Sequence, residues 1–96
     1  MTPPADHARL HSVVHGLVQG VHFRAAARVQ ANRLHLTGRV WHRRDGAVEA
    51  IAEGPRPALD RFLAFLQKGP PRALVERVDA TWSEPTGAFE FFDVAY

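Results

Sequence analysis

The chain has 96 residues, which fits one domain with one compact core. It holds no cysteine, so disulfides, thiolate catalysis, zinc ribbons and iron–sulfur clusters are excluded. Twelve basic residues against ten acidic ones give a formal charge of +2, too small an excess to argue for nucleic acid by itself.

Residues 1–8 carry two prolines and little that can pack, and read as a flexible N-terminal tail before a single domain over 9–96. They lack the basic start and apolar run of a secretory signal. No later stretch is long and apolar enough to span a membrane. The expectation is a soluble cytoplasmic protein with no membrane partner, and a monomer. From Arg9 to His15 the run reads as a strand bounded by Gly16. Gly16 to Val21 is a loop, after which Phe23, Ala27, Ala31 and Leu34 recur on one face of a helix. Leu36 to His42 alternates as a strand, Arg43-Arg44-Asp45-Gly46 supplies an Asp-Gly turn, and Ala47 to Ala52 returns. Gly54-Pro55-Arg56-Pro57 opens a second helix with the stripe Leu59, Phe62, Leu63 and Leu66, which stops at Gly69-Pro70-Pro71. Leu74 to Trp82 is the next strand, Glu84 to Gly87 a turn, and Phe89 to Val94 the last strand. The order β-α-β-β-α-β, with room for a short extra strand at the end, is a split β-α-β arrangement. It predicts an α+β fold: one mainly antiparallel sheet with two helices on one face.

A strand that runs into a glycine-bounded loop and then a helix can hold an anion. Successive backbone N–H groups in such a loop can form a concave nest. The first helical N–H groups have no internal partners and carry the positive end of the helix dipole. Arg24 falls in the first turn, where that dipole disfavours a cation. An anion between loop and guanidinium resolves the conflict, and the arginine fork can hold two phosphoryl oxygens. The alternative reading is a plain surface turn with an exposed arginine.

The run Gly16-Leu17-Val18-Gln19-Gly20-Val21-His22-Phe23-Arg24 resembles the acylphosphatase signature G-x-V-Q-G-V-x-F-R at every specified position. Leu34 to Glu49 is similar to the family's second block, and Gly69 to Glu76 to the segment entering its fourth strand. The resemblance covers Arg9 to Val94 and implies a ferredoxin-like fold with a small-molecule acyl phosphate as substrate. It implies that backbone N–H groups of Leu17, Val18, Gln19, Gly20 and Val21 hold the phosphoryl oxygens. Arg24 then binds and neutralises the phosphoryl group, Gln19 organises the loop, and Phe23 belongs to the core. The family's water-positioning asparagine falls at position 42, where this chain has His42. Gly38, Val40, Asp45 and Gly46 fix that register. Arg39 stands where the family has an aromatic, and His35 where it has glycine.

An acyl phosphate releases a carboxylate, the anion of an acid with a pKa of about 4. Such a group leaves without being protonated, so neither a general acid, a metal nor another cofactor is expected. Positioning and charge stabilisation dominate phosphoryl transfer. His42 can orient the attacking water or take its proton, since neutral imidazole has one donor and one acceptor; its alternative reading is a half-exposed strand-end residue without a chemical role. A phosphate- or acyl-phosphate-binding module with little turnover is the competing function. RNA recognition needs stacking aromatics on a central strand, and Ala47 to Ala52 has none. His11 and His15 lie on one face of their strand without an evident third ligand, so no metal site is expected. His7, His22 and His35 read as surface residues.

Overall fold

The computed structural model describes residues 6–96. Its elements are β1 (His7–Leu17), α1 (Phe23–Arg33), β2 (Thr37–His42), β3 (Val48–Pro55), α2 (Arg56–Lys68), β4 (Leu74–Ser83) and β5 (Phe92–Val94). The strands form one sheet in the order β4-β1-β3-β2-β5. β1 is antiparallel to both β3 and β4, and β2 is antiparallel to β3. β5 alone in this sheet pairs in parallel, with β2. This is the ferredoxin-like α+β fold expected from the element order. No helix among the described residues is long and apolar enough to cross a membrane.

Alternation along the strands decides which face is covered. Leu10 and Val14 of β1, Val40 of β2 and Ala50 and Ala52 of β3 share one face and are buried. Against them pack Phe23, Ala27 and Ala31 of α1 and Leu59, Phe62 and Leu66 of α2, all essentially inaccessible. The small alanines at positions 27 and 31 lie one turn apart on the buried side of α1, where they let the helix lie close to the sheet. Each large apolar side chain fully buried here contributes about 1.5–3 kcal/mol. Phe92 of β5 closes this core edge-on against Phe62, with ring centroids 5.6 Å apart.

The other face of the sheet is polar. His11 pairs with Glu49 and His15 with Asp79, so the two histidines that share this face each face a different carboxylate. Residues 84–91 cross this face to carry the chain from β4 to β5. Their anchor is Glu53, only 5% exposed. It accepts hydrogen bonds from the Thr86 and Gly87 N–H groups, both at 2.9 Å, from the Thr86 hydroxyl at 2.7 Å and from Arg9 at 2.8 Å. Burial by itself raises the Glu53 pKa, but the hydrogen bonds from Thr86, Gly87 and Arg9 outweigh it and hold the carboxyl below its usual range.

Several boundaries differ from the sequence reading: β1 runs on through Gly16 to Leu17, and β3 continues past Ala52 to Pro55, through the Gly54-Pro55 read as the opening of the second helix. The first strand begins at His7 rather than Arg9. His7 and Ala8 pair with Pro55 and Gly54, and Arg56 donates its N–H to the Asp6 carbonyl. Of the segment 1–8 read as a tail, residues 1–5 lie outside the described residues. The last strand is only Phe92–Val94 instead of Phe89–Val94. Phe89 belongs to the crossover and lies beneath Arg9 and Arg39, 5.8 and 5.9 Å from their guanidinium carbons. Thr86 and Gly87 of the crossover give their hydrogen bonds to Glu53, and only at its end does Phe91 accept the Gly38 N–H of β2, at 2.9 Å.

Candidate active site

The parallel course of β1, β2 and β5 brings their C-terminal ends to one edge of the molecule. The 18–22 loop, the start of α1, His42 and the chain end Ala95–Tyr96 converge there.

The loop is held at both ends by buried side chains, Val18 and Phe23, while Gln19, Gly20 and His22 are exposed. The glycines at its margins serve different ends. Gly16 sits at a bulge in the β1–β4 pairing, with φ +133°. A Cβ there would lie 2.1 Å from the Leu74 carbonyl oxygen, so close backbone approach requires glycine. At Gly20 a Cβ would meet nothing within 4 Å; its requirement is the backbone angle, φ +71°. His22, the N-cap of α1, is also left-handed (φ 60°, ψ 30°) and caps with no side-chain hydrogen bond. Non-glycine residues rarely adopt that conformation, which costs about 1–3 kcal/mol and clusters at ligand sites. Among the described residues, no acceptor takes the N–H groups of Gln19, Gly20, Val21 or His22. No acidic residue occupies the first turn of α1 either. The positive end of the helix therefore faces outward without compensation.

Arg24 projects beside this loop. One guanidinium nitrogen donates to the Ala95 carbonyl at 3.4 Å, and the guanidinium carbon lies 4.8 Å from the centre of the Tyr96 ring. Both contacts are weak: the hydrogen bond is long, and Tyr96 is fully exposed. His42, the last residue of β2, lines the same cleft. Its pKa lies below the usual histidine value, first because of partial burial and second because of the Arg24 charge. The ring is thus held neutral near pH 7 and keeps one nitrogen as an acceptor. The β2–β3 turn behind it is set by Asp45. The Ala47 N–H donates to that carboxylate at 3.1 Å, the leading reason its pKa lies below the usual value.

The cleft has a volume of about 240 Å³ and is lined by Gly20, His22, Phe23, Arg24, Ala25, His42, Val94 and Tyr96. Of the residues singled out from sequence, Gly20, Arg24 and His42 meet in it. Leu17 is the end of β1, opposite Leu74, with its side chain in solvent. Val18 is core, Val21 is half-buried, and Gln19 lies against the β2–β3 turn, where its amide nitrogen is 3.8 Å from the position of a Cβ on Gly46. Any part played by these four in the cleft belongs to their backbone. Sequence reading missed His22, Val94, Ala95 and Tyr96. The left-handed angle at His22 has no sequence signal, and the chain end reaches the cleft only because β5 pairs with the far edge strand.

The acylphosphatase family model matches residues 10–94. An acylphosphatase of Pelotomaculum thermopropionicum is 43% identical over 89 residues, covering 93% of this chain and 97% of its own. One of Deinococcus radiodurans is 47% identical over 83 residues, covering 86% and 95%. The crystal structure of acylphosphatase from Bacillus subtilis superposes with a TM-score of 0.89 at 35% identity, covering 93% of this chain and 99% of that one. With the first signature complete and the fold shared over almost its whole length, the chain belongs to the acylphosphatase family.

Proposed function

We propose that this protein hydrolyses acyl phosphates to a carboxylate and inorganic phosphate, with His42 in the role that the family gives to asparagine. The observation that carries the reading is the convergence of Arg24, His42 and loop N–H groups without an acceptor among the described residues on one cleft at the start of α1. The N–H groups of Gln19 to His22 receive phosphoryl oxygens, and Arg24 neutralises their charge with its planar fork. His42 accepts a hydrogen bond from a water and directs its oxygen at phosphorus. As that P–O bond forms, the bond from phosphorus to the acyl oxygen breaks, and the carboxylate leaves with the electron pair. The water's proton passes to His42 or to the departing phosphate. The weak hold of Ala95 and Tyr96 on Arg24 leaves the guanidinium free to engage the substrate.

Turnover of acetyl phosphate, compared with an Arg24→Ala control, tests the reading; equal rates sink it. The His42 role has its own signature. The acid limb of kcat/KM lies below pH 6.5, because burial and Arg24 depress the free-enzyme pKa. The limb of kcat lies higher, because bound phosphoryl charge stabilises the imidazolium. His42→Asn removes both limbs. The histidine at position 42 also motivates a second reading, a module that binds phosphate without turning it over. Calorimetric phosphate binding without hydrolysis, together with turnover gained in His42→Asn, favours that one.

A further inference from the structure

Beside the cleft lies a second cavity of about 320 Å³, lined by Arg24, Arg39, Trp41, His42, Ala95 and Tyr96. The two share Arg24, His42 and Tyr96, so a ligand seated against Arg24 borders both. The β2–β5 register ends with Val94 opposite Val40, and the Ala95 N–H donates to the Val40 carbonyl at 2.8 Å. Beyond that point Ala95 and Tyr96 form one wall. Arg39 and Trp41, alternate residues on one face of β2, form the other. Arg39 is exposed and makes no ion pair with any carboxylate among the described residues. Asp93, its register partner on β5, is not within ion-pair distance. Its guanidinium carbon lies 5.9 Å from the centre of the Phe89 ring, at the outer limit of a cation–π contact. Arg24 likewise lacks a carboxylate partner among the described residues, so two arginines without ion pairs border one cavity, with the half-buried Trp41 beside them.

We infer that this cavity receives the acyl group, and that Arg39 selects acyl phosphates whose short acyl chain ends in a carboxylate. The inference rests on the hydrolase reading above for the placement of the phosphoryl group at Arg24. Arg39 lies three residues before His42, roughly 10 Å along the strand, and this odd spacing puts the two on opposite faces of β2, so the ligand passes the end of β5 to reach Arg39. A phosphoryl group at one end and a carboxylate at the other are thus separated by a short chain, whose methylenes lie along Trp41. An arginine fork suits a terminal carboxylate, which it can hold with two parallel hydrogen bonds.

The test uses a pair of non-hydrolysable ligands of equal chain length, 5-phosphonopentanoate and pentylphosphonate, and a pair of substrates, succinyl phosphate and butyryl phosphate. By calorimetry the carboxylate-bearing phosphonate binds about tenfold tighter, the scale of one partly exposed charge-assisted hydrogen bond, and the difference shrinks with salt. Arg39→Gln abolishes the difference. Arg72→Gln, at an exposed arginine that lines neither cavity, makes the same change in net charge and keeps it. In turnover the gain appears as a lower KM for succinyl phosphate with similar kcat, since the contact is made equally in ground and transition states. Equal affinity for the two phosphonates overturns the inference, as does a preference that survives Arg39→Gln or disappears equally in Arg72→Gln. Discrimination between phosphonates without hydrolysis of either substrate upholds Arg39 and refutes the hydrolase reading. Hydrolysis without discrimination does the reverse. Failure of both phosphonates to bind refutes the phosphoryl site and this inference together.

Discussion

Two polar clusters of this molecule, Glu53 under the crossover and Arg24 at the loop, are built in opposite ways. Glu53 is buried and fully engaged, with four donors at 2.7–2.9 Å. Arg24 is only partly buried, with one long hydrogen bond and a stacked ring that is itself in solvent. Around it the loop N–H groups have no acceptors among the described residues. A satisfied buried charge has no capacity left for a ligand; its work is to hold one chain segment against another. A charge with loose internal contacts beside unused donors retains capacity for something outside the chain. The two are linked, since the segment that Glu53 anchors leads into β5 and delivers Ala95 and Tyr96 to Arg24.

The comparison breaks most visibly at Arg24. Arg24→Ala is expected to lower kcat/KM for acetyl phosphate about a thousandfold, the low end of the effect of an arginine that stabilises a transferring phosphoryl group. Its stability in urea should stay within about 0.5 kcal/mol, as for other surface changes. A large loss of stability with activity intact would reverse the roles assigned here.

Glu53→Gln should show the opposite split. Replacing the carboxylate leaves Arg9 without its ion pair and weakens three further hydrogen bonds, at a cost of about 2–3 kcal/mol in chemical unfolding. The pH dependence has a definite sign. Because the folded pKa is depressed, Glu53 stabilises the fold fully above the ordinary glutamate pKa of about 4.3 and loses that contribution as pH falls through its folded value. The variant should therefore lose less stability on acidification than the parent. Parallel acid-unfolding curves for the two proteins would show that this carboxylate is not the anchor.

Gly20→Ala sharpens the comparison within the loop. A methyl group there meets no atom, so only the left-handed backbone is penalised, by about 1 kcal/mol. If the alanine shifts the loop to relieve that strain, the loop N–H groups move, and turnover falls about tenfold to a hundredfold while the fold persists. The smallest effect concerns His42. Removing the Arg24 charge should move the acid limb of any residual activity upward, toward the unperturbed histidine value. An unmoved limb in Arg24→Gln would separate the two residues electrostatically.

Local patterns carried much of the fold. The periodicities of Phe23, Ala27 and Ala31, the Asp-Gly turn and the Gly-Pro-Pro stop each express a short-range constraint, and each element they predict is present. The extent of the final strand was not legible, because the crossover is held by a carboxylate more than thirty residues earlier in the chain. The same division holds at the site. Sequence by itself determined the loop, the arginine at the head of α1 and the histidine at position 42, since all three are tied to local motifs. Tertiary structure decided that Arg24 and His42 share one cleft, that His22 is left-handed, and that Tyr96 and Arg39 border the same opening. The reason is topological. The parallel pairing of β5 with β2 joins residues more than fifty positions apart, and no periodicity along the chain encodes which edge of a sheet its last strand will take.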